Sequence, residues 1–240
     1  MNESPITYPM RLNRHMYLEK ICSRREADRL IEAGQVFVNG KKATMGQKVQ
    51  KTDEVTLDKK VQKKQEKKVY VAFNKPTGVV SHNPQLGEKS AEEYLQHVSV
   101  KLSPLGRLDK ASHGLMLFSN DGTIVDKLLN PKYEHEKEYV VEVDKRIDKI
   151  FLTKMQSGVD IEGYTTKPAK ISKLDPRKFR LVLTEGKKHQ IRRMTAALGY
   201  QVKSLKRERV QNIRLGKLKS GAYREITGLE LLDFLKSINH

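Results

Sequence analysis

The apolar pattern predicts an α+β protein: a small α/β module, then a larger body on a mixed, mainly antiparallel sheet. Three observations carry this reading. Strand-like and helix-like segments mix without the strict alternation that a parallel βαβ fold requires. The N-terminal segment has a helix, helix, hairpin pattern that the body does not share. Between them residues 59–68, KKVQKKQEKK, are nearly all polar and cannot bury a core. The chain therefore divides into a module over 1–58, a lysine-rich linker over 59–68 and a body over 69–240.

In the module, Leu12, Met16 and Ile21 predict a first helix. Ser23-Arg24-Arg25-Glu26 has the form of a capping box, in which hydroxyl and carboxylate satisfy free backbone donors reciprocally. Ala27, Leu30 and Ile31 then give one apolar stripe, and Gly34 stands where a left-handed helix end belongs. Val36-Phe37-Val38-Asn39-Gly40-Lys41 predicts a hairpin, because Asn-Gly accepts the positive φ of a tight turn.

In the body, Val69–Phe73 predicts a strand and Lys75-Pro76-Thr77-Gly78 a turn, with Val79-Val80 returning as a strand. Leu115–Phe118 reads as a buried strand followed by a helix through Val125, Leu128 and Leu129. Tyr139, Val141 and Val143 alternate on one face of a strand over 137–143, and Phe179–Leu183 forms another. A helix over 189–198 carries Ile191, Met194 and Leu198 inward and ends at Gly199. Thr227 caps a last helix with Leu231, Phe234, Leu235 and Ile238 inside.

Charge narrows the function. Across 240 residues, Lys+Arg 47 against Asp+Glu 29 leaves a net +18. Residues 1–68 carry a net +7 and residues 186–224 a net +11, whereas 69–185 are close to neutral. Two basic blocks around a neutral body predict a polyanionic partner, bound with release of its counterions. No apolar run approaches the roughly 20 residues of a membrane span. One cysteine, Cys22, excludes an internal disulfide, and the scattered histidines offer no metal cluster. The expectation is a soluble, cytoplasmic protein without cofactor or metal, with nothing demanding more than a monomer.

Residues 10–57 resemble the S4 RNA-binding domain, on Arg11-Leu12, Cys22-Ser23-Arg24-Arg25-Glu26-Ala27-Asp28 and Val38-Asn39-Gly40-Lys41. That resemblance implies structured RNA as partner, with Arg11, Arg14, Arg24, Arg25 and Arg29 as phosphate contacts, which position but do not specify. In the body Asp109 precedes an apolar strand, Tyr139 lies on the valine face, and Arg192 borders the apolar stripe of its helix. Each also has a plainer explanation: a turn cap, a core ring and one more phosphate contact.

The segment Gly106-Arg107-Leu108-Asp109-Lys110-Ala111-Ser112-His113-Gly114-Leu115-Met116-Leu117-Phe118-Ser119-Asn120 resembles the signature of the RsuA-type pseudouridine synthases. Asn74-Lys75-Pro76-Thr77-Gly78, Lys137-Glu138-Tyr139 and His189-Gln190-Ile191-Arg192-Arg193-Met194 match in the same order. The resemblance implies isomerisation of a uridine in large-subunit (23S) ribosomal RNA, with a tRNA anticodon-arm uridine as a further substrate left open. It makes Asp109 the essential carboxylate, paired with Arg192, and Tyr139 the ring stacked on the uracil. Leu205 would close the other side of the base, and Arg107 would fill the gap left by the flipped uridine. Lys75, which reads either as structural in its Lys-Pro turn or as an RNA-backbone contact, and Arg193 are further substrate-binding candidates. Lys187, Lys188, Lys203, Lys206, Arg207 and Arg209 read as phosphate contacts.

Two departures from the family pattern stand out. Ala111 replaces an acidic residue found in many relatives, and Lys188-His189 replaces a common Asn-Arg. Both bear on the choice of target and neither removes an essential group. The competing readings are a non-catalytic S4-containing RNA-binding or ribosome-assembly factor and a sister synthase acting on another ribosomal uridine. Asp109, Tyr139 and Arg192 together argue against a pure binder, which has no need of all three.

Overall fold

The computed structural model describes residues 6–19, 21–58 and 67–238. Most of the predicted linker, residues 59–66, lies outside the described residues. The chain forms two compact units, Met1–Lys68 with Asp121–Thr123, and Val69–Asn120 with Ile124–His240.

The first unit contains β1 (Met10–Arg11), α1 (Leu12–Leu18), α2 (Arg24–Glu32), β2 (Val36–Val38), β3 (Lys41–Lys42), β4 (Lys48–Val49) and β5 (Val55–Leu57). Half of the capping box forms: Ser23 Oγ accepts from the Glu26 amide at 3.3 Å, while the Glu26 carboxylate turns to Arg29 at 3.1 Å. Gly34, at φ +66°, ends α2, and the Gln35 amide reaches back to the Leu30 carbonyl at 2.9 Å. The predicted hairpin joins β2 to β3, with Asn39 and Gly40 both at positive φ. One expectation fails locally. The first helix stops at Leu18, and Ile21 lies beyond it, its amide bonded back to the Met16 carbonyl at 2.9 Å. Leu12, Met16, Ala27, Leu30, Ile31, Val36 and Val38 make the core of this unit. Cys22 lies at its edge, its thiol pushed up to about 11 by burial first and by nearby Glu26 second, which makes it a poor nucleophile.

The second unit is built on a sheet ordered β10-β11-β9-β12-β8-β6-β14. Its strands are β6 (Tyr70–Lys75), β7 (Ser103–Pro104), β8 (His113–Ser119), β9 (Lys137–Val143), β10 (Lys170–Asp175), β11 (Lys178–Leu183), β12 (Val202–Val210), β13 (Ile213–Arg214) and β14 (Tyr223–Glu225). Among the described strands β8 and β12 pair in parallel and the other pairs are antiparallel. Helices α3 (Val125–Leu129), α4 (Lys149–Ser157), α5 (Gln190–Ala197) and α6 (Gly228–Ser237) complete the unit.

Alternation along the strands divides the sheet into two apolar faces. Val71, Phe73, Met116, Phe118, Tyr139, Val141 and Leu181 enter one core; Tyr70, Ala72, Leu115, Leu117, Val210 and Phe234 enter the other. Val79-Val80 does not return as a strand. It makes only an isolated bridge, Val80 to Ser90, because the adjoining turn is committed to the loop described below. The longest strand, β12, was not anticipated from its run of basic residues. No helix among the described residues is long and apolar enough to cross a membrane.

Candidate active site

Asp109 lies on the loop that feeds into β8, and that loop is fixed through its backbone. Ser81 Oγ accepts from the Leu108 amide at 2.9 Å and donates to the Leu108 carbonyl at 2.6 Å. The Gly78 amide donates to the Lys110 carbonyl at 2.8 Å, and the Ser112 amide closes a turn on the Asp109 carbonyl at 2.9 Å. Arg207 Nη1 donates to the Arg107 carbonyl at 3.4 Å, and Arg192 Nη2 to the Ala111 carbonyl at 3.2 Å and Ser112 Oγ at 3.3 Å. With the backbone held from so many directions, the Asp109 carboxylate is presented at a fixed place while staying one-third exposed.

Strand register brings the remaining candidates to the same level. Tyr139 of β9 is opposite Arg207 of β12, Arg207 is opposite Gly114 of β8, and Gly114 is opposite Lys75 of β6. This single cross-strand row passes five residues beyond Asp109. Gly114 is required there: at φ +102° a Cβ would stand 2.4 Å from the Arg207 carbonyl oxygen. Tyr139 is 8% exposed and Leu205 5%, both in one core, so a ring and an aliphatic side chain wall this end of the sheet.

Lys75 is fully buried. Its Nζ donates to the carbonyls of Pro76 at 2.8 Å, Val79 at 2.6 Å and Lys110 at 3.5 Å. Burial lowers its pKa to about 8, partly opposed by the Asp109 charge and reinforced by that of Arg207. It therefore braces the turn and the Asp109 loop and has no surface to offer RNA, which fits the structural one of its two readings and not the substrate-binding one.

Other expectations also change. Arg192 is not the carboxylate's neighbour: His189 Nδ1 stands 3.2 Å from Asp109 Oδ2, while Arg192 grips the same loop through its backbone and Ser112. Arg207 is 4% exposed and donates to the Leu115 carbonyl at 2.7 Å, so it is an interior brace, not a phosphate contact. Arg209 is engaged by Glu136 at 2.9 Å and Glu138 at 3.0 Å, a cross-strand pairing that takes it from the phosphate set. Arg193 is tied to Glu162 at 2.7 Å and to the Ile161 carbonyl at 3.1 Å. Lys206 contacts Glu208 at 3.0 Å.

Arg107, Lys187, Lys188 and Lys203 are exposed, as are Arg11, Arg14, Arg24, Arg25 and Arg29 in the first unit. The Arg107 side chain has no hydrogen bond or ion pair among the described residues. Sequence reasoning missed the support of the 185–190 loop. There buried Glu185 accepts from Tyr164, the Lys167 amide and Gln190, and Gln190 Oε1 accepts from the Lys187 amide. His189, at φ +51°, caps α5 above that network. The one signal available for it was the unusual Lys188-His189 pair.

A partly exposed carboxyl group on a braced loop, leading into a strand whose cross-strand row carries an enclosed aromatic ring, suits chemistry on a planar base brought out of its stack. The sequence profile of the RNA pseudouridylate synthase family matches residues 69–197, and that of the S4 domain residues 10–55. The chain belongs to the RNA pseudouridylate synthase family and is an isomerase of RNA uridines. It is 42% identical over 233 residues to the dual-specificity RNA pseudouridine synthase RluF of Escherichia coli (strain K12), across 96% of this chain and 80% of that protein. It is 37% identical over 219 residues to the ribosomal large subunit pseudouridine synthase B of Bacillus subtilis (strain 168), across 88% of this chain and 89% of that one. A crystal structure of a pseudouridylate synthase superposes with a TM-score of 0.70 at 27% identity, covering 95% of this chain and 99% of the other. Residues 135–139 and 202–210 resemble ribosomal large subunit pseudouridine synthase F, in keeping with the first of these relatives.

Proposed function

We propose that this synthase, acting as a monomer, isomerises a uridine of large-subunit (23S) ribosomal RNA and also accepts a tRNA anticodon-arm uridine. Similarity along nearly the whole chain to a dual-specificity synthase and to a large-subunit synthase supports the choice of RNA. The braced, one-third exposed Asp109 carboxylate is the observation that supports the chemistry.

The reaction breaks the N1–C1′ bond, turns the uracil and joins C5 to C1′; the C5 hydrogen leaves as a proton and the freed N1 takes one up, so the product is an isomer. Asp109 either attacks C1′, giving a sugar ester that the turned base displaces, or takes the C2′ proton, giving a glycal that is reprotonated. Both routes use the carboxylate's electron pair and return it. Tyr139 stacks on the flipped uracil against Leu205, and its hydroxyl assists the departure of the C5 proton. Arg107, exposed beside Asp109, occupies the space the uridine vacates. Arg192 keeps the Asp109 loop in place through Ala111 and Ser112.

Tritium release from 23S ribosomal RNA transcribed with C5-tritiated uridine tests this directly. The wild type releases tritium and Asp109→Asn does not, while both bind the transcript. A parallel tRNA transcript tests the second substrate. Release by Asp109→Asn would overturn the assigned carboxylate; no release from either RNA by the wild type would overturn the assigned substrates.

A further inference from the structure

Asp109 has a partner that the sequence motifs do not assign. His189 Nδ1 approaches Asp109 Oδ2 to 3.2 Å, with both side chains partly open to solvent, at 46% and 33% exposure. The imidazole is not there by chance of a floppy loop. His189 is held at φ +51° at the start of α5, with the Arg193 amide bonded to its carbonyl at 3.0 Å. The next residue, Gln190, is buried and anchored on Glu185 at 2.6 Å. Both members of the pair thus stand on backbone that is fixed independently.

A carboxylate that must work beside a polyanion faces repulsion from the incoming phosphates, which disfavours its charged form. A cation at salt-bridge distance offsets that repulsion. Of the common side chains, an imidazole does so conditionally, because it changes charge between about pH 5 and 8. We propose that His189 is a positioning residue for Asp109, whose protonated imidazole orients the carboxylate and offsets the phosphate field, making RNA turnover pH-dependent. The proposal rests on Asp109 as the reacting carboxylate.

Other charged groups near the pair behave differently. The guanidinium groups of Arg192 and Arg207 touch the Asp109 loop, and that of Arg107 is carried by it. Lys110 is engaged by Glu88 at 2.8 Å, and Lys187 and Lys188 are exposed ammonium groups. His113, at the start of β8, is held below its ordinary value by burial and then by the charges of Lys206 and Lys75. Lys75 titrates near 8, but it is buried and keeps its three carbonyl partners. Glu185 is a buried carboxylate whose acceptors are taken. His113 and Lys75 remain in every 189 variant, so a change confined to those variants is assigned to position 189.

The test measures kcat/KM for tritium release between about pH 6 and 8 for wild type, His189→Asn and His189→Arg. Asparagine is neutral and tolerates positive φ, and arginine is a permanent cation. In the wild type kcat/KM falls about two- to fivefold as pH rises, the effect of an exposed ion pair. His189→Asn is flat at the wild type's high-pH level, and His189→Arg is flat at its low-pH level. A decline that persists in either variant overturns the proposal, as does a wild-type profile without one. Should an arginine fail to fold at this φ, shown by a lowered Tm, His189→Asn alone still decides. Asp109→Asn runs in parallel: activity in that variant would refute the assignment of Asp109, whereas an inactive Asp109→Asn with a pH profile unchanged in His189→Asn would refute only the role of His189.

Discussion

Replacing Lys75 by Met removes the buried brace of the loop that carries Asp109. The ammonium is 0% exposed and its pKa is lowered from 10.5 to about 8, first by burial. The sign follows from linkage. A base whose folded pKa lies below its unfolded one leaves the unfolded chain holding more protons between the two values, so stability rises with pH across that window. Below about 8 both states carry the charge and the burial penalty is paid in full; above about 10.5 neither does. By pH 10 the wild type gains up to about 2.5 kcal/mol from this one group relative to pH 7. Methionine has a similar length and no charge, so Lys75→Met loses that gain. Urea unfolding of both proteins at the two pH values measures it as a double difference, in which Lys137, also near 8, and Cys22 cancel. Equal pH dependence in the two proteins would refute the claim that a buried, charged Lys75 underlies the loop. The same variant leaves the Pro76, Val79 and Lys110 carbonyls short of a donor, and kcat falls because Lys110 follows Asp109 directly.

Three further outcomes follow from the same structure. Gly114→Ala forces a Cβ to 2.4 Å from the Arg207 carbonyl at φ +102°, so β8 and β12 must part, and thermal unfolding should show a loss of about 3 kcal/mol or failure to fold. Arg192→Lys keeps the charge but replaces the planar guanidinium whose Nη2 donates to both the Ala111 carbonyl and Ser112 Oγ with a shorter, differently placed ammonium; single-turnover kinetics should show a step about tenfold slower at unchanged Tm. Arg24→Ala with Arg25→Ala removes two exposed cations from α2, and RNA binding across a salt series should weaken with its slope reduced by about one to two, the catalytic step at saturation being unaltered.

Much of the fold was legible in the chain because its signals are local. Ser23, Gly34 and Asn39-Gly40 specify a helix start, a helix end and a hairpin through backbone geometry that only neighbouring residues influence. The valine alternation after Tyr139 and the stripe of Ile191 and Met194 mark a strand and a helix for the same reason. The strand β12 escaped notice because buried Leu205 and Arg207 alternate with basic residues, which read as surface. Asp109, Tyr139 and Arg192 came together as a set only through the family resemblance, since each by itself reads equally as a turn cap, a core ring or a phosphate contact.

What those residues touch was decided elsewhere. Arg207, Arg209 and Lys75 have the composition of phosphate contacts, yet pairing of β12 with β8 and β9, and of β6 with β8, turns them onto carbonyls and carboxylates inside the unit. Asp109 meets His189 across eighty residues of chain, while Arg192 meets the loop backbone instead. Local sequence thus determined which elements form and which chemical groups the chain carries. Tertiary structure, through strand register and the loops it holds, determined which basic side chains are buried braces, which stay exposed, and which imidazole stands beside the carboxylate.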